Sequence, residues 1–189
     1  MLDLKSARHW ARQLHTEAIA EGSVVIDATM GGGGDTLDMA RMVGEAGMVY
    51  AFDVQQYAVD RTRERLIAEG LEGRVQLILD GHQNMERYVH CKVDAVLFNL
   101  GWLPGGDKRV TTLTETTLQA VNAALRLLKA GGLLTICSYP GHAEGASERD
   151  ALIEWARSLD GHSFQCMLRA YLNQPENTPL LIAVQKLRA

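Results

Sequence analysis

Seven short apolar runs of strand type recur along the 189-residue chain, and segments of helical period separate the early runs. The runs are Ser23–Ala28, Met48–Asp53, Val75–Leu79, Val93–Asn99, Leu133–Ser138, Ser163–Leu172 and Leu180–Gln185. Alternating strands and helices predict an α/β, doubly wound, mostly parallel seven-stranded sheet that is covered on both faces. The chain is 47% hydrophobic and has no linker-like stretch, so residues 1–189 are expected to form a single domain.

The sequence predicts one further feature at each end of the chain. The last two runs are joined by residues 173–179, a turn-forming segment with two prolines that leaves no room for a crossover helix. We therefore expect a C-terminal antiparallel hairpin. Before the first run, Leu4–Glu21 predicts an extra N-terminal amphipathic helix that stops at Gly22.

Composition excludes several classes of function. A formal net charge of −4 argues against a broad basic surface for nucleic acid. No run approaches the roughly 18 apolar residues of a membrane span, and a cytoplasmic protein is expected. The histidines show no ligand spacing with cysteines or carboxylates, so no metal is expected. Two small basic clusters could meet a few phosphates but are more simply solvated surface: Lys5, Arg8 and Arg12, and Lys108 with Arg109.

A glycine loop follows the first run and precedes a helical segment. Four consecutive glycines, Gly31–Gly34, let the backbone turn sharply and approach a ligand closely. A dinucleotide-binding loop that begins at Gly31 needs Gly or Ala at position 36, where Thr36 stands. The pattern acid-x-Gly-x-Gly-x-Gly of methyltransferases fits better from Asp27 onward, with Thr29 in place of its first glycine. The alternative is a tight turn that binds nothing.

Candidate ligand contacts also stand at the ends of the second and third runs. Asp53 stands 20 residues after Gly33, where a carboxylate can accept hydrogen bonds from both ribose hydroxyls of a nucleoside. Asp53 alone could equally cap the next helix. Gly81 and His82 follow the third run and are candidate adenine contacts, although His82 could instead anchor its own loop.

The fourth run ends at Asn99, and Trp102 follows three residues later in Asn-Leu-Gly-Trp. Methyltransferases that modify amino groups have Asn-Pro-Pro-Tyr or a similar sequence here. The amide and main-chain carbonyls of that sequence accept hydrogens from the target amine, and the aromatic ring stacks on a base. The first and last elements are present in this chain, whereas both prolines are replaced.

The segment that follows the fifth run contributes four candidate residues at the same edge of the predicted sheet. Tyr139, His142, Glu144 and Glu148 could position a substrate or accept a proton. For the two glutamates the alternative is a glycine-rich turn with Ser147 as a helix cap.

Several strings taken together are similar to those of a known family. They are Asp-Ala-Thr-Met-Gly-x-Gly-x-Asp-Thr from 27, Ala-Phe-Asp-Val-Gln from 51, Gly-His at 81, Asn-Leu-Gly-Trp-Leu-Pro-Gly-Gly-Asp-Lys from 99 and Tyr-Pro-Gly-His-x-x-Gly-x-x-Glu from 139. This set resembles the bacterial rRNA methylase-like family, which includes tRNA 5-aminomethyl-2-thiouridine methyltransferases. The resemblance implies a class I, Rossmann-like methyltransferase fold with S-adenosylmethionine as the cofactor. It also implies methyl transfer to the aminomethyl nitrogen of the tRNA wobble uridine, with the tRNA anticodon arm as the partner.

The resemblance also implies roles for individual residues. Asn99 would orient the amine, with Asp107, Tyr139 and His142 as further catalytic candidates. Trp102 and Lys108 would lie on the substrate side. Asp27 would sit near the methionine ammonium group, within a set of cofactor contacts formed by Asp27, Gly31, Gly32, Gly33, Gly34, Asp53, Gln55, Gly81 and His82.

The glycine loop departs from the family pattern. Members often have Gly-Asn-Gly-His where this chain has Gly31–Gly34, and loss of those side chains could weaken cofactor binding. Two other functions stay open: methylation of rRNA or of a small amine, and a non-catalytic protein that binds S-adenosylmethionine. A homodimer is plausible, because a small domain could need a second copy to present enough surface to a tRNA.

Overall fold

The computed structural model describes residues 6–103, 105 and 109–188, and one seven-stranded sheet organises them. Lys5, Asp107 and Lys108 lie outside the described residues. The strands are β1 Val24–Asp27, β2 Met48–Asp53, β3 Val75–Leu79, β4 Val93–Asn99, β5 Leu128–Ser138, β6 Phe164–Arg169 and β7 Leu180–Lys186. The helices are α1 Ala7–Ala18, α2 Gly34–Val43, α3 Gln56–Glu69, α4 Thr114–Leu127 and α5 Ala143–Ser158, with 3₁₀ turns at Glu72–Arg74 and His82–Arg87.

The order of strands in the sheet is β3-β2-β1-β4-β5-β7-β6. The first five strands in this order are parallel, whereas β7 is antiparallel to both β5 and β6. The predicted fold class and its C-terminal hairpin are therefore confirmed. The order reverses at β1, which lies between β2 and β4, and ligands of such sheets bind beyond the carboxyl ends of the strands at this point.

Helices bury both faces of the sheet because successive side chains of a strand point to opposite faces. Ala51 and Leu97 belong to the core cluster that packs under α1, α2 and α3. Their neighbours Phe52 and Phe98 belong to the cluster under α4 and α5. In the part of the chain that the structure describes, no helix has both the length and the apolar character needed to cross a membrane.

The N-terminal helix is shorter than expected, and it is fixed to the sheet. Ser6 caps it by accepting a hydrogen bond from the His9 amide at 3.3 Å. Ile19 leaves the helix in an extended conformation, so the helix ends before the turn at Gly22, where φ is 84°. His15 is buried, and its Nε2 lies 2.6 Å from Thr135 Oγ1 on β5. Burial lowers the pKa of His15 to about 4, so a neutral imidazole makes this contact near pH 7.

Two strand boundaries differ from the sequence-based prediction by three or more residues, and one suggested helix cap is absent. β5 begins at Leu128 because Leu128 pairs with Val93 across a register shift, so the Gly-Gly segment lies inside the strand. β6 ends at Arg169 because its partner β7 begins at Leu180, which leaves no ladder for the following residues. Ser147 caps no helix, since it lies inside α5 and donates to the Ala143 carbonyl.

Candidate active site

A cleft of about 890 Å³ lies beyond the carboxyl ends of the parallel strands. Most of the described residues that the sequence predicted for the site line this cleft: Gly31, Gly32, Gly34, Asp53, Gln55, Gly81, His82, Asn99, Trp102, Tyr139 and His142. Asp27 and Gly33 are not among the lining residues. The strand order therefore gathers residues that are far apart in the sequence.

The glycine loop requires glycine at two positions. Gly31 and Gly33 have φ angles of 50° and 79°, in the left-handed region that L residues rarely adopt. A Cβ atom on Gly33 would lie 2.7 Å from Thr62 Oγ1, and one on Gly31 would lie 3.1 Å from Leu103 Cδ1. The amides of the first turn of α2 have no partners within the helix. The loop thus combines close backbone approach with available donors, which suits a polar ligand.

Guanidinium groups lie beside the other two glycines of the loop. A Cβ atom on Gly34 would lie 2.8 Å from Arg8 Nη2, and one on Gly32 would lie 3.6 Å from Arg61 Cζ. Arg65 Nη1 donates to the Gly32 carbonyl. Cationic groups from α1 and α3 therefore adjoin the loop at Gly32 and Gly34.

Asp27 lies beneath the loop, with no exposed surface. Its Oδ1 accepts a hydrogen bond from the Thr29 amide at 3.2 Å, and its Oδ2 accepts one from Thr36 Oγ1 at 2.7 Å. Burial, together with the nearby Asp35 charge, raises the pKa of Asp27 to about 7. The carboxyl group holds both ends of the loop, and its expected place near the methionine ammonium group stays a prediction.

Asp53 joins the end of β2 to the glycine loop. Its Oδ2 accepts a hydrogen bond from the Gly31 amide at 3.0 Å, and its Oδ1 accepts one from the Gln55 amide at 2.9 Å. Burial raises the pKa of Asp53, and these amide hydrogen bonds oppose the rise. The alternative in which Asp53 caps α3 is wrong, because Gln55 is the N-cap residue. Each carboxylate oxygen has a second lone pair, which a ribose hydroxyl could use.

His82 is both a loop anchor and a cleft residue. Its Nδ1 lies 3.2 Å from the Ala28 carbonyl, and its ring packs edge to face on Phe98. Since a carbonyl oxygen only accepts, Nδ1 must carry the hydrogen. Burial lowers the pKa of His82 to about 4, so Nε2 is an unprotonated acceptor at neutral pH.

Asn99 ends β4 at the point where the strand order reverses. Its backbone amide donates to Thr29 Oγ1 at 2.7 Å, so the residue that replaces the first motif glycine ties β1 to β4. Its Nδ2 donates to Asp35 Oδ2 at 2.5 Å. Its Oδ1 is buried and accepts no hydrogen bond from the described residues. The side chain therefore presents a buried acceptor that lacks a donor.

The aromatic groups at the other side of the cleft contact one another. The rings of Trp102 and His142 lie 4.6 Å apart at 60°, and Trp102 forms an antiparallel bridge with Thr111. His142 Nε2 lies 3.1 Å from Thr111 Oγ1. Burial raises the pKa of Tyr139 to about 12, so near pH 7 its hydroxyl can donate a hydrogen bond but cannot act as a base.

Glu144 and Glu148 support this side of the cleft without lining it. Glu144 Oε1 accepts hydrogen bonds from the amide and the hydroxyl of Thr114 at 2.7 and 2.8 Å, at the start of α4. Glu148 is buried and accepts from Thr117 Oγ1 at 2.6 Å and from Thr112 Oγ1 at 2.9 Å. Thr112 Oγ1 in turn accepts from the Gly101 amide at 2.9 Å. Both carboxylates therefore hold the segment after Asn99 in place, and neither lines the cleft.

Sequence reasoning missed two charged residues of the cleft, Arg8 and Asp35. Arg8 belongs to a cluster interpreted as solvated surface, but it forms a bidentate ion pair with Asp35. Arg12 likewise pairs with Asp38 at 3.1 Å. A signal was available, because the two arginines are four residues apart and the two aspartates are three apart, spacings that align on neighbouring helices.

The described residues contain no group of three or more His, Cys, Asp or Glu side chains placed to hold a metal ion.

Comparisons with known proteins identify relatives that match most of the chain. The family model described as "Putative rRNA methylase" matches residues 49–185. The "tRNA (mnm(5)s(2)U34)-methyltransferase, chloroplastic" of Arabidopsis thaliana is 37% identical over 96% of this chain and 70% of its own length. A "putative rRNA-methylase" from Clostridium thermocellum has a TM-score of 0.95 at 39% identity, covering 98% of this chain and 100% of that chain. A "putative methyltransferase" from Streptococcus mutans, solved in complex with SAH, has a TM-score of 0.89 at 38% identity with the same coverage.

Proposed function

We propose that this chain, which belongs to the family described as "Putative rRNA methylase", methylates an amino nitrogen of a tRNA nucleoside. S-adenosylmethionine-dependent methyl transfer is the chemistry of the family, and the relative from Streptococcus mutans was solved with SAH (S-adenosylhomocysteine). The expected family and cofactor are confirmed. The acceptor is the proposed part: the aminomethyl nitrogen of 5-aminomethyl-2-thiouridine at the wobble position, with the anticodon arm as the partner. The name of the Arabidopsis thaliana relative supports this choice.

The proposal rests on one observation, the hydrogen bonding of the Asn99 side-chain amide. Its Nδ2 is used by Asp35, and its buried Oδ1 has no donor among the described residues. A buried acceptor without a partner is unfavourable by about 1 to 3 kcal/mol, which a substrate N–H would recover. An amine offers such a hydrogen, whereas a carbon acceptor does not.

The residues on the glycine-loop side of the cleft fit the cofactor. Two glycines with positive φ leave no Cβ between the loop backbone and a ligand, and cationic groups adjoin the loop. We assign the nucleoside to Asp53, Gln55, Gly81 and His82, and the methionine part to the loop. When bound, S-adenosylmethionine supplies an electrophilic methyl group on a sulfonium sulfur. The protein's tasks are then to align the amine and to exclude water, because direct displacement at carbon needs no further catalyst.

The test is a nucleoside digest of tRNA. Hypomodified tRNA that carries 5-aminomethyl-2-thiouridine is incubated with the protein and S-adenosylmethionine, digested and analysed by mass spectrometry. We expect one added methyl group on that nucleoside and none on tRNA that lacks the aminomethyl group. Methylation of rRNA or of a free amine in place of tRNA would refute the proposed acceptor. Binding of S-adenosylmethionine in calorimetry without methylation of tRNA, rRNA or a free amine would favour the non-catalytic protein that binds the cofactor.

A further inference from the structure

We infer that Arg8 and Asp35 are positioning residues, which hold the Asn99 side chain so that its Oδ1 is presented to the acceptor amine. The inference rests on the proposed function for the identity of the acceptor. It concerns residues that were not predicted from the sequence, and it gives the extra N-terminal helix a part in the reaction.

The orientation of the Asn99 amide follows from the chemistry of its neighbour. An amide side chain can be turned over, which exchanges its oxygen and nitrogen. An ionised carboxylate only accepts hydrogen bonds, so the Asn99 atom that faces Asp35 must be the NH₂ nitrogen. Turning the amide over would place Oδ1 against a carboxylate oxygen and would lose a charge-assisted hydrogen bond. Asp35 therefore selects the orientation that leaves Oδ1 as the acceptor.

Arg8 fixes Asp35 in turn. Arg8 Nε lies 3.1 Å from both carboxylate oxygens, and Nη2 lies 2.9 Å from Oδ1. A planar guanidinium that engages a carboxylate at several points fixes its rotation as well as its position. The side chain of Asp35 is 17% exposed, so little water competes for its oxygens. The chain of contacts is thus Arg8 to Asp35 to Asn99.

Contacts at other positions of α1 place Arg8. α1 is capped by Ser6 and is joined to β5 by the buried contact between His15 and Thr135. These contacts bring the Arg8 guanidinium to the start of α2, where it lies against Gly34. A Cβ atom at position 34 would lie 2.8 Å from Nη2, so glycine at this position lets the flexible end of Arg8 lie close to the loop.

The same two helices contain a matched control. Arg12 Nη2 pairs with Asp38 Oδ2 at 3.1 Å, and Asp38 Oδ1 also accepts from Arg41 Nη1 at 2.9 Å. No hydrogen bond links Asp38 to Asn99 in the part of the chain that the structure describes. An Asp38→Ala change therefore removes an ion pair between α1 and α2 and leaves the Asn99 amide untouched.

A double-mutant cycle tests whether Asp35 acts through Asn99. Single-turnover methylation of hypomodified tRNA and calorimetric affinity for S-adenosylmethionine are measured for D35A, N99A, the double variant and D38A. We expect D35A to slow methylation by about 10- to 100-fold, less than the about 100- to 1,000-fold typical of removing an oriented dipole itself, because Asn99 is still present. Adding D35A to N99A should slow it no further, and D38A should stay within about twofold of wild type. Equal losses from D35A in both backgrounds, or a loss confined to cofactor affinity, would overturn the inference.

A second measurement does not depend on activity. In ¹⁵N-labelled protein the side-chain NH₂ signal of Asn99 is identified by its absence in N99A. We expect slow hydrogen exchange of this NH₂ group in wild type and in D38A, and fast exchange in D35A and in R8M. Equal exchange in all four proteins would show that Asp35 does not hold the amide. If exchange responds as expected but no tRNA is methylated, the positioning stands and the proposed acceptor fails.

Discussion

Replacement of Gly33 by alanine should destabilise the protein and weaken cofactor binding, for two separable reasons. Gly33 has a φ of 79°, and an L residue in the left-handed region costs about 1 to 2 kcal/mol. The new methyl group would also lie 2.7 Å from Thr62 Oγ1 and 2.8 Å from its Cγ2, and Thr62 is fully buried. Overpacking of this kind costs typically about 1 to 3 kcal/mol. Together the two effects lower the free energy of unfolding by about 2 to 5 kcal/mol.

Two other glycines isolate these effects. Gly70 ends α3 with a φ of 66°, and a methyl group added there would have no atom within 4 Å, so Gly70→Ala should show the backbone part alone. Gly73 also has open space and no positive φ, so Gly73→Ala should change stability by about 0.5 kcal/mol or less. Neither glycine belongs to the glycine loop or lines the cleft, so neither change should alter affinity for S-adenosylmethionine.

The assay is urea unfolding of the three variants and of Gly33→Ala combined with Thr62→Ala, alongside calorimetry with S-adenosylmethionine. We expect the losses of stability to increase from Gly73→Ala through Gly70→Ala to Gly33→Ala, and Thr62→Ala to recover part of the last. Equal losses at positions 33 and 70 would refute the steric part of the reasoning. Unchanged cofactor affinity in Gly33→Ala would show that the conformation of this loop does not govern binding.

Four further predictions concern single side chains. Asp53→Ala should weaken S-adenosylmethionine binding by about 1.5 to 3 kcal/mol in calorimetry, through loss of charge-assisted hydrogen bonds, and unchanged affinity would exclude Asp53 from the site. Asn99→Ala should lower the methylation rate and leave cofactor affinity within about threefold, whereas a defect in binding alone would contradict its role. Burial raises the pKa of Asp27 from 3.8 to about 7, so the folded state binds the carboxyl proton of Asp27 more tightly than the unfolded state does. The stability that this protonation contributes is therefore lost as pH rises from about 4 through 7. The free energy of unfolding of wild type should therefore fall relative to that of Asp27→Asn over this pH range. Parallel pH profiles of the two free energies would disprove the role of the Asp27 proton. Glu148→Ala should reduce the free energy of unfolding by about 3 kcal/mol, since the hydroxyls of the buried Thr117 and the half-buried Thr112 lose their carboxylate acceptor. Glu144→Ala should cost less, because Glu144 contacts only Thr114 at the start of α4, and similar losses would refute this ranking.

The sequence predicted which residues line the cleft where a residue's position follows from the end of a strand. Asp53 and Asn99 end apolar runs and Gly81 follows one, and parallel strands place such ends together at one edge. Prediction was weaker for what those side chains contact. Glu144 and Glu148 stand near the cleft in the sequence but bind threonines of another segment, and Arg8 was interpreted as surface. The homodimer and the single-domain extent over residues 1–189 stay predictions.

Local patterns in the sequence by themselves determined the strands, the glycine loop and the C-terminal hairpin. They could do so because hydrophobic period and turn chemistry act between residues a few positions apart. Only the tertiary structure decided that Asp27 is buried under the loop and that Asp35 joins Arg8 to Asn99, residues separated by 27 and 64 positions. Such contacts depend on how helices pack on the sheet. Packing sets burial, and burial decides which charges are shifted in pKa, which are paired and which acceptor is left for a substrate.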